Sequence, residues 1–186
     1  MKAFIFSVGE PTTDVAVWSL KRLGFDVTLM HNPKTSFYEK YREFLEKARQ
    51  EDVVIRSDAD VIVNKGFMEL LKIYESQNNV WWMQGKLFCH LKHDLIYGAP
   101  NIMNYKAINV GLQHFHEYKR EHRPETALSR ANELANPRRF RAVDYFVGMH
   151  GYKQKREDID RVLKQKEERN QLKNWDMELV EKLNAL

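Results

Sequence analysis

Between Ala3 and Tyr74 the chain alternates strand and helix signals with short connections, and that order leaves few folds open. Residues 3–8 are a continuous apolar run, the pattern of a strand covered on both faces. Thr12 or Thr13 caps the helix that follows, with Asp14 in its first turn and Val15, Trp18 and Leu23 at helical spacing. Gly24 stands where a helix C-terminal glycine belongs, and residues 25–30 form a second strand. Ser36 and Glu39 make a capping box ahead of a helix whose buried stripe is Tyr41, Phe44, Leu45 and Ala48. Val53-Val54-Ile55 is a third strand, and Asn64 caps a third helix carrying Phe67, Leu70, Leu71 and Tyr74. Strands joined in this way call for a parallel sheet with right-handed crossovers.

The second half changes character. Residues 80–83 are strand-like, and residues 87–90 with 95–98 form a hairpin turning at Lys92-His93-Asp94. Residues 107–118 have helical spacing through Ile108, Leu112 and Phe115. Pro124 suits the first position of a helix that stops before Pro137, and residues 141–149 form a last strand. From Lys153 onward the chain is heavily charged, with Ile159, Val162, Leu163, Leu172, Trp175, Leu179 and Leu183 at helical intervals. The expected organisation is one α/β domain over residues 1–153 and a helical tail over 154–186. The tail's apolar stripe packs on the domain or on a partner, a homo-oligomer included.

Composition narrows the class. No run approaches the roughly 18 apolar residues of a membrane span. The N-terminal apolar stretch is short and meets Glu10-Pro11 with no small-residue cleavage site, so it reads as a strand and not a signal. A single cysteine, Cys89, excludes an internal disulfide and points to a reducing, cytoplasmic compartment. The net charge of +4 is concentrated in residues 119–141, which hold seven Lys or Arg against three Glu. Such a segment meets phosphates or an acidic surface, or is simply a solvated helix face.

In an open parallel sheet, ligands bind outside the carboxyl ends of the strands. Three loops end there: Ser7-Val8-Gly9-Glu10-Pro11, His31-Asn32-Pro33-Lys34 and Ser57-Asp58-Ala59-Asp60. The third stands out, because two carboxylates flank one small residue immediately after a buried strand. Two like charges held so close call for a cation or several donors. Hard oxygen ligands suit Mg²⁺ or Mn²⁺, which keep positions open for water and substrate phosphates.

The order of elements and the Asp58-Ala59-Asp60 motif resemble nucleotide-sugar-dependent glycosyltransferases of the GT-A fold, over roughly residues 2–153. The resemblance implies a Rossmann-like, mostly parallel sheet flanked by helices, a nucleoside-diphosphate sugar donor and a hydroxyl acceptor. It implies that Asp58 contacts ribose or metal, that Asp60 binds the metal bridging the diphosphate, and that Ser7, Val8, Gly9 and Glu10 hold the nucleotide. Arg56 joins that nucleotide site, and Asn32 stands where the family often has an acidic group. A late His-Gly pair followed by lysine, here His150, Gly151 and Lys153, implies a third metal ligand and a diphosphate contact. For the base that accepts the hydroxyl proton, Asp144 leads Glu117 and Asp94.

Other readings have their own signatures. Cys89, His90, His93, His114 and His116 invite a zinc site, but their spacing is not a paired-ligand pattern. Trp81, Trp82, Phe88 and Tyr97 suit core packing more than sugar stacking. A nucleotidyltransferase of related fold carries a glycine-rich stretch with a basic residue after the first strand, which Gly9-Glu10-Pro11-Thr12-Thr13 lacks. A nucleic-acid-binding module would use the basic 119–141 segment, without the aromatic strand of an RNA-recognition sheet. An inactive scaffold that assembles through the tail is the third alternative.

Overall fold

A computed structural model gives the architecture; it describes residues 1–32, 34–90, 94–118, 124–135, 140–151 and 157. The expected helical tail, Lys153, His93 and five of the seven basic residues of the 119–141 segment lie outside those residues. Among the described residues, seven strands form one sheet: β1 (Lys2–Ser7), β2 (Asp26–His31), β3 (Val53–Asp58), β4 (Val61–Val63), β5 (Trp82–Cys89), β6 (Asp94–Asn104) and β7 (Phe140–His150). Accompanying it are the helices α1 (Thr13–Arg22), α2 (Phe37–Ala48), α3 (Gly66–Glu75), α4 (Tyr105–His114) and α5 (Pro124–Ala135). A 3₁₀ turn, Phe115–Tyr118, follows α4.

The strand order is β2-β1-β3-β6-β5-β7-β4. β1, β2 and β3 run parallel, as the alternating pattern requires. From there the sheet is mixed: β6 is antiparallel to β3 and β5, β7 is parallel to β5, and the short β4 closes the edge antiparallel to β7. The α/β class therefore holds, with the second half contributing one parallel pair, β5 with β7, among its antiparallel ones. The hairpin forms as expected, with Leu87 opposite Ile96 and Cys89 opposite Asp94. It is longer than its apolar core suggested, because β6 continues through Pro100 to Asn104 and bonds β3.

Both sheet faces are covered. On one, Ile5, Ile55 and Met83 pack with Ala16 and Leu20 of α1 and Phe67 and Leu70 of α3. On the other, Phe4, Phe6 and Val54 pack with Tyr41, Phe44 and Leu45 of α2, Ile108 of α4 and Leu128 of α5. The capping box of α2 is made as read: Ser36 Oγ accepts from Glu39 N–H, and the Glu39 carboxylate accepts from Ser36 N–H. Gly24 has a φ of 90°, the left-handed conformation expected beyond the end of α1.

α1 differs from the expectation in two respects. Its buried residues are Ala16, Ser19 and Leu20, whereas Val15 and Trp18 face solvent, with the Arg22 guanidinium over the Trp18 ring. Ala16 and Ser19 on the sheet side let α1 lie close to β4, with Leu20 filling the core beside them. Thr12 makes no side-chain cap. Its hydroxyl instead donates to the carbonyl oxygen of Ala59, 2.9 Å away and fully buried.

Candidate functional site

The Thr12 contact begins the site, because it ties the loop after β1 to the loop after β3. Ala59 is locked at both backbone groups: its N–H donates to Phe6 O at 2.9 Å, and its carbonyl accepts from Thr12. Its side chain lies in the core. The middle residue of Asp58-Ala59-Asp60 is thus a buried anchor, and the two carboxylates flank it at the mouth of the sheet. The side chains of Asp58 and Asp60 keep 30% and 14% of their surface.

Each carboxylate has its own partner. Asp58 is gripped by Arg56 through two parallel bonds, Nη2 to Oδ1 at 2.6 Å and Nη1 to Oδ2 at 3.0 Å. The guanidinium is buried beside the rings of Phe6 and Tyr41, about 5 Å from each centroid, and Nη2 also reaches Glu125 of α5 at 3.2 Å. Burial, helped by the nearby Asp60 and Glu125 carboxylates, pushes the Asp58 carboxyl up to about 6 against the pull of Arg56.

Asp60 meets His150, the last residue of β7, with Oδ2 and Nε2 3.2 Å apart. The backbone brings them together: β4 pairs with β7 so that Val61 lies opposite His150, and Gly151 N–H donates to Asp60 O at 2.9 Å. Burial alone would lower the imidazole's pKa, but hydrogen bonds to Asp60 and Cys89 overturn it and raise it to about 10. Burial likewise favours a neutral Asp60, and the bond and charge of His150 outweigh it and hold the carboxyl below its ordinary value.

This coupling has a measurable consequence. A histidine raised on folding stabilises the chain fully below its unfolded pKa of about 6.5, and that contribution is lost as the pH climbs through 10. The melting temperature of the metal-free chain should exceed that of His150→Gln at pH 6.5, and the gap should close towards pH 10. Equal gaps at both pH values in paired thermal melts would count against the ion pair.

The loop after β1 is folded on itself. The Ser7 hydroxyl donates to Glu10 Oε2 at 2.8 Å, Val8 N–H donates to the same oxygen at 2.8 Å, and Gly9 turns with a φ of 98°. Asn32 holds a turn of its own, its Oδ1 accepting from Lys34 N–H at 3.0 Å. Beneath the loop lies a residue that the sequence reading missed. Lys40 of α2 is buried, and its ammonium donates to Ser7 O at 2.9 Å. The signal was a lysine beside the buried stripe, one position before Tyr41, which is ordinarily a solvated site.

The structure thus places Ser7, Val8, Gly9, Glu10, Arg56, Asp58, Asp60 and His150 at or near the carboxyl ends of β1, β3 and β7, which point the same way. It does not bring Asp144 there. Asp144 lies six residues before His150 on β7, up to about 20 Å away along an extended strand. It is exposed and bonded to Lys86 and the Tyr97 hydroxyl. Glu117 pairs with His114, and Asp94 accepts from its neighbour's N–H. Cys89 and His90 contact His150 and Met149, far in the chain from His114. Among the described residues no group of three or more His, Cys, Asp or Glu side chains is arranged to hold a metal ion. Asp60 and His150 form a pair; Asp58 has both oxygens on Arg56.

No family model matches the chain, and no curated protein does. Solved structures do. The chain is similar to a glycosyltransferase involved in glycosylation of the major capsid of PBCV-1, at 11% identity and a TM-score of 0.55 over 88% of this chain and 98% of that one. It is also similar to 4-diphosphocytidyl-2C-methyl-D-erythritolsynthase from Anaerococcus prevotii DSM 20548, at 10% identity and a TM-score of 0.51 over 77% of this chain and 86% of that one. The chain has the GT-A-like fold of nucleotide-diphospho-sugar transferases. That fold fits glycosyl transfer and nucleotidyl transfer alike. Among the described residues no helix is long and apolar enough to cross a membrane.

Proposed function

We propose that the chain is a glycosyltransferase that binds a nucleoside-diphosphate sugar with Mn²⁺ or Mg²⁺ and passes the sugar to an acceptor hydroxyl. The observation that carries this reading is the meeting of Asp60 and His150 across the β4–β7 edge. Asp60 and His150, a carboxylate and an imidazole that meet at 3.2 Å, are the residues that would hold a small divalent cation, leaving it room for water and diphosphate oxygens. When bound, the cation offsets charge on the leaving diphosphate.

The chain's own groups supply the rest. The β1 loop, with its Ser7 hydroxyl and Val8 N–H both bonded to Glu10, would lie beside the nucleoside, and the Lys40 bond to Ser7 O holds that loop from below. Arg56 sets Asp58 beside the cation pair for a ribose hydroxyl, and Lys153 is the proposed diphosphate cation. A nucleotidyl transfer fits the fold, but the β1 loop has a single glycine and no basic residue to meet a triphosphate.

Titration of UDP-, GDP- and CDP-sugars with and without Mn²⁺ tests the reading. At least one should bind only with the ion, and Asp60→Ala should weaken it on the order of 100-fold, about 2.7 kcal/mol. Binding indifferent to both ion and substitution would refute it. Turnover of a nucleoside triphosphate with a sugar phosphate would install the nucleotidyl alternative.

A further inference from the structure

We propose that Cys89 is a positioning residue that orients the His150 imidazole for the cation, an inference that rests on the glycosyltransferase reading above. Cys89 closes β5 and lies opposite His150 in the parallel β5–β7 ladder. It is buried, 1% exposed, and its Sγ stands 3.3 Å from His150 Nδ1. The next residue, His90, donates its N–H to His150 O at 3.0 Å, so the end of β5 holds both backbone and ring.

The two ring nitrogens are therefore divided between two neighbours, Nδ1 to Cys89 and Nε2 to Asp60. A neutral imidazole has one N–H and one lone pair. To ligate through Nε2 it must carry its proton on Nδ1, and a buried N–H needs an acceptor. Sulfur against Nδ1 meets that need and leaves the Nε2 lone pair on the Asp60 side. A ligating histidine whose other nitrogen loses its partner typically binds metal 10–100-fold more weakly. The thiol bonds Nδ1 and a cation would be held at Nε2, so the thiol would not itself join the coordination shell.

The test measures Mn²⁺ binding by the electron paramagnetic resonance of the free ion, and imidazole nitrogen coupling in the bound spectrum. Wild type is compared with Cys89→Ser, which keeps a hydrogen-bonding atom, and with Cys89→Val and Cys89→Ala, which do not. Thermal melts accompany each variant. The expected result is an affinity about 10-fold or more lower in the Val and Ala variants, with weakened nitrogen coupling, and rescue by Ser to within about threefold. Wild-type affinity in the Val variant would overturn the proposal, as would a Ser variant as weak as Val. If wild type binds no Mn²⁺, the glycosyltransferase reading falls and this inference with it, a pattern distinct from the other two.

Discussion

Replacing Arg56 by Met is expected to destabilise the chain by about 3 kcal/mol, because it strands two carboxylates at a buried cation's place. Arg56 is the hub of its neighbourhood: Asp58 takes two of its donors and Glu125 a third, and two aromatic rings flank it. Removing one partner of a buried pair costs about 3–5 kcal/mol. The lower end applies here, since Asp58 and Glu125 keep 30% and 29% of their side-chain surface in solvent. For a domain of this size the melting temperature should fall by roughly 10 °C. Arg56→Lys should recover only part, because an ammonium cannot make the two parallel bonds. Adding Asp58→Asn and Glu125→Gln to Arg56→Met should recover more, since nothing charged is then left unpaired. A melting temperature of Arg56→Met within a degree or two of wild type would show that the carboxylates never depended on it.

Gly148→Ala is expected to cost a similar amount, about 3 kcal/mol from overpacking and backbone strain together, and also to dismantle the candidate cation pair. Gly148 sits inside β7 with a φ of 159°, flanked by Val63 of β4 and Leu87 of β5. A Cβ built there would overlap the Ile62 carbonyl oxygen and crowd the Val63 Cα. Both neighbours are backbone, so no side chain can swing aside. The relief available is for β4 to part from β7. That edge sets His150 opposite Val61 and so against Asp60. The variant should lose melting temperature and Mn²⁺ affinity together, whereas Cys89→Val should mainly lose affinity. A stable Gly148→Ala protein with intact ion binding would mean that the edge tolerates the methyl and that the pair does not rely on its register.

Some of this was legible in the residues. Capping at Ser36 and Glu39, the Tyr41-Phe44-Leu45-Ala48 stripe, the left-handed Gly24 and the hairpin at residues 87–98 follow from short-range physics, and each is found where the pattern put it. Misreadings arose where a long-range contact outbid a local preference. Thr12 or Thr13 suits a cap, but the Thr12 hydroxyl reaches 47 residues ahead to Ala59 and that of Thr13 donates to Glu10 O. Val15 and Trp18 stand at helical spacing, yet the face of α1 that meets the sheet carries Ala16, Ser19 and Leu20. Lys40 carries no local sign that its ammonium will serve the β1 carbonyl end.

The sequence by itself determined that Asp58-Ala59-Asp60 would follow the third strand of an α/β domain, because alternating periodicity and helix punctuation are properties of neighbouring residues. Only the tertiary structure decided what those carboxylates face. Asp58 and Asp60 look equivalent on paper, two acids around one alanine. In the fold, one is held by Arg56 and the other meets His150, a residue ninety positions later in the chain. The same register carries Cys89 to the far edge of the His150 ring and leaves Asp144 well back along β7. Strand register follows from how the whole sheet packs its two faces, and no stretch of neighbouring residues contains it.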